Sequence, residues 1–153
     1  LSHHSNAGCY PSTIPYLRQV MSERTRRFIK YVLPAIIYMA AIFTVSSIPK
    51  LYPPSLGISW SDKIYHFIEY AGFSLLLYRA LYYWEWSRIT VRRLLLVLLL
   101  GAVTGAVDEL HQLYISGRVA QTSDWIADFA GAVFATILIL SFHLASKLIH
   151  RQR

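Results

Sequence analysis

Residues 94–115, LLLVLLLGAVTGAVDELHQLYI, decide how the rest of the chain reads. The stretch opens on an unbroken aliphatic run, stays uncharged as far as Val107, and then gathers Asp108, Glu109, His111 and Gln112 near its end. About 20 mostly apolar residues in a helix cross a bilayer core, so the segment is long enough to span. Charge inside a membrane is costly, and ionisable residues placed there are functional candidates by default. The cluster closing this span is therefore where chemistry is expected.

Three further stretches qualify as spans. Residues 31–48 carry no charge and end at Pro49, with Pro53 and Pro54 forcing an extended connection. Residues 64–84 read as a second span although they contain His66, Glu69 and Arg79, which would be unusual in a helix bathed in lipid on all sides. Residues 125–144 form the last, with Asp128 near the start and Lys147, Arg151 and Arg153 beyond the end. The expected fold is all-α, a four-helix transmembrane bundle. A composition of 55% hydrophobic and 15% charged residues agrees, because a soluble domain needs more polar surface.

Residues 1–30 read as an N-terminal cytoplasmic segment and residues 31–153 as the membrane domain. Residues 1–20 mix His, Pro, Ser and Gly without helical periodicity, which makes Met21, at the head of a basic stretch, a candidate native start. The first apolar run exceeds the usual length of about 7 to 15 residues in a signal peptide, so it reads as an uncleaved anchor. With Cys9 as the single cysteine, an intrachain disulfide and a cysteine-based metal site are both excluded. The net charge of +7 does not point to nucleic acid, because the basic residues flank apolar runs.

The charges instead set orientation. Arg18, Arg24, Arg26, Arg27 and Lys30 precede the first span; Arg79, Arg88, Arg92 and Arg93 lie between the second and third; Lys147, Arg151 and Arg153 follow the last. On the opposite side stand Lys50, Lys63 and Arg118. The positive-inside rule then makes both termini cytoplasmic, with the loops 49–63 and 116–123 facing outward. Trp84 and Trp86 on the inner edge, and Trp60 and Trp125 on the outer, fit interfacial anchoring. The acids sort the other way: Asp62, Glu69, Asp108, Glu109, Asp124 and Asp128 fall at outward ends, and Glu23 and Glu85 inside.

Helical spacing brings these groups onto shared faces. Asp62, His66, Glu69 and Phe73 make one stripe; Asp108, His111 and Gln112 make another; Asp124, Asp128 and Gly131 a third, with Ala127 and Ala135 permitting close helix packing. So many acids in low dielectric must bind a cation, pair with Lys63 or Arg118, or hold protons. Simpler roles compete at several positions. Asp62 and Asp124 could cap their helices, Lys63 and Arg79 could snorkel to the surface, and His66 could be a packed histidine. His143, near the inner end of the last helix, has no expected catalytic part.

The ordered set Asp62-Lys63-x-x-His66-x-x-Glu69-Tyr70, Asp108-Glu109-x-x-Gln112, Arg118 and Asp124-x-x-x-Asp128-x-x-Gly131 resembles the VanZ-like family of small bacterial membrane proteins. The resemblance implies a multi-pass protein of the bacterial cytoplasmic (inner) membrane with a cell-envelope role linked to resistance against teicoplanin-type glycopeptide antibiotics. Its matched polar positions are His66, Glu69, Asp108, Glu109, Gln112, Arg118 and Asp124. The family usually carries Asn where this chain has Asp128, which adds an acid.

On this reading the protein acts on a lipid or lipid-linked cell-wall precursor whose head lies at the outer face. His66, Glu69, Asp108 and Glu109 are the candidate catalytic groups, and Lys63, Gln112, Arg118, Asp124 and Asp128 the candidate substrate-binding groups. Asp108, Glu109 and Asp124 are candidate ligands for a divalent cation bridging to phosphate. Whether the chain is an enzyme stays open beside two alternatives: a non-catalytic envelope-lipid or antibiotic-binding protein, and a proton-coupled carrier working through Glu69, Asp108 and Asp128. With only four helices, a carrier would call for an oligomer. No nucleophile motif surrounds Ser116.

Overall fold

A computed structural model describes residues 23–49, 57, 60–84 and 91–151. The expectations resting on residues 1–22, on the connection from Lys50 to Pro54, and on Glu85, Trp86, Arg88 and Arg153 lie outside these residues, as does the side chain of Trp84. The described elements are all helical, joined by turns, with no strand among the described residues.

The first rod is made of α1 (Glu23–Tyr31) and α2 (Leu33–Ser46), separated by a turn at Val32. Pro34 sits in the first turn of α2, where its missing N–H costs no intrahelical bond. At the other end the Ser47 hydroxyl donates to the Phe43 carbonyl at 2.6 Å. Helical structure thus begins well before the predicted span at residue 31, because the basic run ahead of it forms a charged helical turn of its own. A second rod, α3 (Ser61–Ala80), passes into a 3₁₀ turn, Leu81–Trp84. The other two rods are α4 (Val91–Gln112) and α5 (Thr122–Arg151). The turn between them uses Gly117 at φ +80°, a conformation that side chains with a Cβ resist. The last helix runs past the predicted end at residue 144, since residues 145–151 contain no Pro or Gly.

Among the described residues, three stretches are long and apolar enough to cross a membrane: Glu23–Ser46, Val91–Gln112 and Thr122–Arg151. The 20-residue α3 has the length but carries Asp62, Lys63, Glu69 and Arg79. Large apolar side chains cover the outside of the bundle. Ile37, Leu95, Leu99, Ile137 and Phe142 are all more than half exposed, a surface suited to hydrocarbon and not to water.

Such helices do not associate by hiding apolar area from water; close packing of small residues holds them together. α3 packs most extensively on α5. A Cβ on Gly131 would collide with the backbone carbonyl of Phe67 and lie 2.9 Å from the Ala71 nitrogen, so glycine sets how near these helices come. Gly101 of α4 faces the Ala132 side chain of α5, less tightly, where a Cβ would lie 3.1 Å from the Ala132 Cβ. The sequence places Trp125 as an interfacial anchor; the structure instead turns its indole inward, where Nε1 donates to the Ala102 carbonyl at 3.0 Å and fastens α5 to α4. Arg93, expected only as a flanking charge, is fully buried with its guanidinium 5.3 Å from the Tyr78 ring.

The two ends of α3 differ. At its C-terminal end, Arg24 Nε and Arg27 Nη2 of α1 donate to the hydroxyl and carbonyl of Tyr83, and Arg79 Nη2 donates to the Lys30 carbonyl at 2.8 Å. Tyr83 also meets Phe28 edge-on, which ties α1 across the turn. The N-terminal end holds a cavity.

Candidate functional site

Periodicity puts Asp62, His66 and Glu69 on one side of α3, and all three line a cavity of about 610 Å³. Ser46 from α2, Gln112 from α4, Arg118 and Gln121 from the turn, and Asp124 from α5 complete its polar wall. Tyr38, Val45, Tyr65, Ile68 and Val119 supply an apolar one. The sequence stripes on three helices therefore do meet.

Several of these polar groups have definite partners. On one side, Asp108 is buried and its Oδ2 accepts from Ser46 Oγ at 2.8 Å and Gln112 Nε2 at 3.2 Å. Its neighbour on the stripe, His111, leaves this group and bonds through Nε2 to Ser47 Oγ at 2.9 Å. Across the cavity, Lys63 Nζ donates to Asp62 Oδ2 and Asp124 Oδ1, both at 2.9 Å. Those two hydrogen bonds, to Asp124 first and then Asp62, push the Lys63 ammonium up from its ordinary pKa. The same lysine holds the Asp62 carboxyl below the usual carboxylate range. Lys63 and Asp62 precede residue 64 and so stand outside the apolar part of the helix.

This geometry replaces the simpler roles at the helix starts. Asp62 caps nothing, since Trp60 occupies the N-cap position of α3 and no side chain caps it. Asp124 likewise sits inside the first turn of α5 with its carboxylate on Lys63, where the negative charge complements the helix dipole. Lys63 does not reach for the surface but is held between two acids.

At the centre, His66 Nδ1 lies 2.9 Å from Asp128 Oδ1, and its Nε2 lies 3.8 Å from Asp124 Oδ2. Asp128 is fully buried, against Gly105 of α4, which has no side chain to crowd it. Glu109 accepts from the Gln121 backbone N–H at 2.7 Å through Oε2. Its donor atoms and those of His66 and Asp128 approach within 4.8 Å of one another. Among the described residues this is the trio able to share a metal ion, and it takes Glu109 from the sequence's candidate ligands while leaving Asp108 with Ser46 and Asp124 with Lys63.

A family model described as VanZ/LLP1 matches residues 9–144. This chain belongs to the VanZ-like family. No curated protein and no solved structure matches it. All the polar positions on which the VanZ-like resemblance was drawn fall at this end of the bundle, and most of them line the cavity. Arg118 does so with its Nη2 donating to the Val45 carbonyl at 2.9 Å, which ties the turn to the end of α2. In this VanZ-like chain the acid at position 128 is used as a partner for His66.

Sequence reasoning missed Ser46, Ser47 and Tyr38, because residues 31–48 read only as an uncharged anchor. The pair Ser46-Ser47 ahead of Pro49 was the available signal: hydroxyls at the end of the first span lie level with the acids of the third. Tyr38 had no such mark; it stacks on Phe73 and touches Gly72.

Proposed function

We propose that this VanZ-like protein is a four-span protein of the bacterial cytoplasmic membrane, with both termini in the cytosol, and that its cavity takes the polar head of a lipid or lipid-linked wall precursor at the outer face. Acting on that head group, it would lower susceptibility to teicoplanin-type glycopeptides. The Lys and Arg distribution supports the orientation. The fourth crossing is supported by how α3 deploys its charges: Asp62, His66 and Glu69 turn into the cavity, whereas the exposed Leu75 outside it is apolar. From residue 64 to the end of the 3₁₀ turn at Trp84 the rod has about 20 residues, enough for a bilayer core.

The cavity itself carries the functional reading. Its charged wall and its apolar wall suit an amphiphile whose head is polar and whose tail stays in lipid. Arg118 supplies positive charge for an anionic head. Lys63 is less suited to that work than the sequence implied, because two carboxylates already hold it. His66, Glu69 and Glu109 are groups able to carry a proton, and Asp128 orients the imidazole.

The test is to express His66→Ala, Glu109→Gln and Arg118→Ala separately, at matched abundance, and to compare glycopeptide susceptibility and extracted envelope lipids with wild type. Loss of a lipid or precursor species in the variants supports catalysis. Loss of the phenotype without chemical change supports binding alone. Retention of full phenotype by all three contradicts both.

A further inference from the structure

We infer that His66, Glu109 and Asp128 bind a divalent transition-metal ion, with zinc the best fit. The trio comes from three helices, α3, α4 and α5, and each residue brings a donor atom within 4.8 Å of the other two. Imidazole with two carboxylates is a nitrogen–oxygen donor set of the kind zinc takes, and three protein ligands leave a coordination position open for water or substrate.

The burial supplies a second, independent reason. Asp128 is 0% and Glu109 7% exposed, yet Asp128 Oδ2 and Glu109 Oε1 have no hydrogen-bond partner. Buried acceptors left unsatisfied are rare and costly, and two carboxylates beside each other in a membrane interior raise that cost. A cation shared between them removes both problems. Of the trio, His66 lines the cavity, beside Glu69, Asp124 and Arg118, while Lys63 is already claimed by Asp62 and Asp124. The inference deepens the functional reading above. With the ion in place, His66 and Glu109 act as ligands, an oxygen of a phosphate-bearing head could occupy the open position, and Glu69 is left to carry a proton.

The purified full chain in detergent micelles, dialysed against Zn²⁺, is expected to retain about one ion per chain by elemental mass spectrometry. His66→Ala and Asp128→Asn should each weaken retention by more than about 100-fold, beyond the effect of losing an outer-shell partner. A control lacking His3, His4 and His150 should keep the ion. Zn²⁺ should also raise the thermal midpoint of wild type and leave that of Asp128→Asn unmoved, a readout that holds even if His66→Ala does not fold. Absence of bound zinc in wild type, or equal retention by Asp128→Asn and wild type, overturns the inference. Because zinc content is read with no lipid or antibiotic present, either result is separate from whether the cavity accepts a lipid head.

Discussion

Replacing Gly131 by alanine is the sharpest test of how the site is held together. The added Cβ would lie 2.9 Å from the Ala71 nitrogen and 3.1 Å from the Phe67 carbonyl carbon, and nearer still to the Phe67 oxygen. Ordinary contact begins at 3.4 Å, so Ala71 alone demands about half an ångström of retreat. All three obstacles are backbone, so no rotamer change relieves them and α3 must move away from α5. Overpacking of this kind costs about 1–3 kcal/mol, and the rigid backbone argues for the upper end. At about 2–4 °C per kcal/mol, the midpoint should fall by about 6–12 °C in a thermal melt of the purified protein. Gly131 is one turn from Asp128, so the 2.9 Å contact with His66 should open as well. Gly101→Ala is the control: its Cβ would meet the Ala132 Cβ at 3.1 Å and Ser74 Oγ at 3.4 Å, both looser than the nearest backbone contacts at Gly131, so a smaller loss is expected. A midpoint for Gly131→Ala within about 2 °C of wild type, or a greater loss for Gly101→Ala, would refute the packing argument.

Three further outcomes follow from single contacts. Ser46→Ala removes a 2.8 Å bond to buried Asp108 and should cost about 1.5–3 kcal/mol by thermal unfolding, the range for hydrogen bonds to charged groups. Trp125→Phe keeps the ring but loses the 3.0 Å bond to Ala102, and a loss of about 1 kcal/mol is expected in the same assay. The Lys63 cluster gives a pH window. Asp62 is lowered, so its contribution is present above its unfolded pKa and fades as pH falls through the folded one; Lys63 is raised, so its contribution is present below its unfolded pKa and fades as pH rises through the folded one. Stability measured against pH should therefore show this contribution intact across neutral pH, and the variant Lys63→Met should lose both flanks.

Much of this architecture was legible in the chain because the membrane imposes simple rules. The lengths of the apolar runs located the helices, and the 3.6-residue period put Asp62, His66 and Glu69 on a common face. Periodicity says which residues share a side of one helix, but not which helix stands opposite or how far it is rotated. Hence Asp108 and His111, neighbours on a stripe, part company to Ser46 and Ser47. Glu109 joins His66 and Asp128 for the same reason, through the approach that Gly105 and Gly131 permit. Arg93 shows the limit of counting charges: as a flanking base it was a topology signal, yet Tyr78 and the surrounding helices bury it completely. Lys63 shows another, since a lysine beside two acids is spoken for before any ligand arrives.

Whether the charged chamber faces away from the cytosol decides the proposed function. Val119 borders the cavity and is 71% exposed, and the chain's one cysteine, Cys9, can be replaced by serine. In that background, Val119→Cys should react with a membrane-impermeant maleimide applied to intact spheroplasts. Labelling that occurs only after the membrane is broken would put the cavity on the cytosolic side and contradict the account.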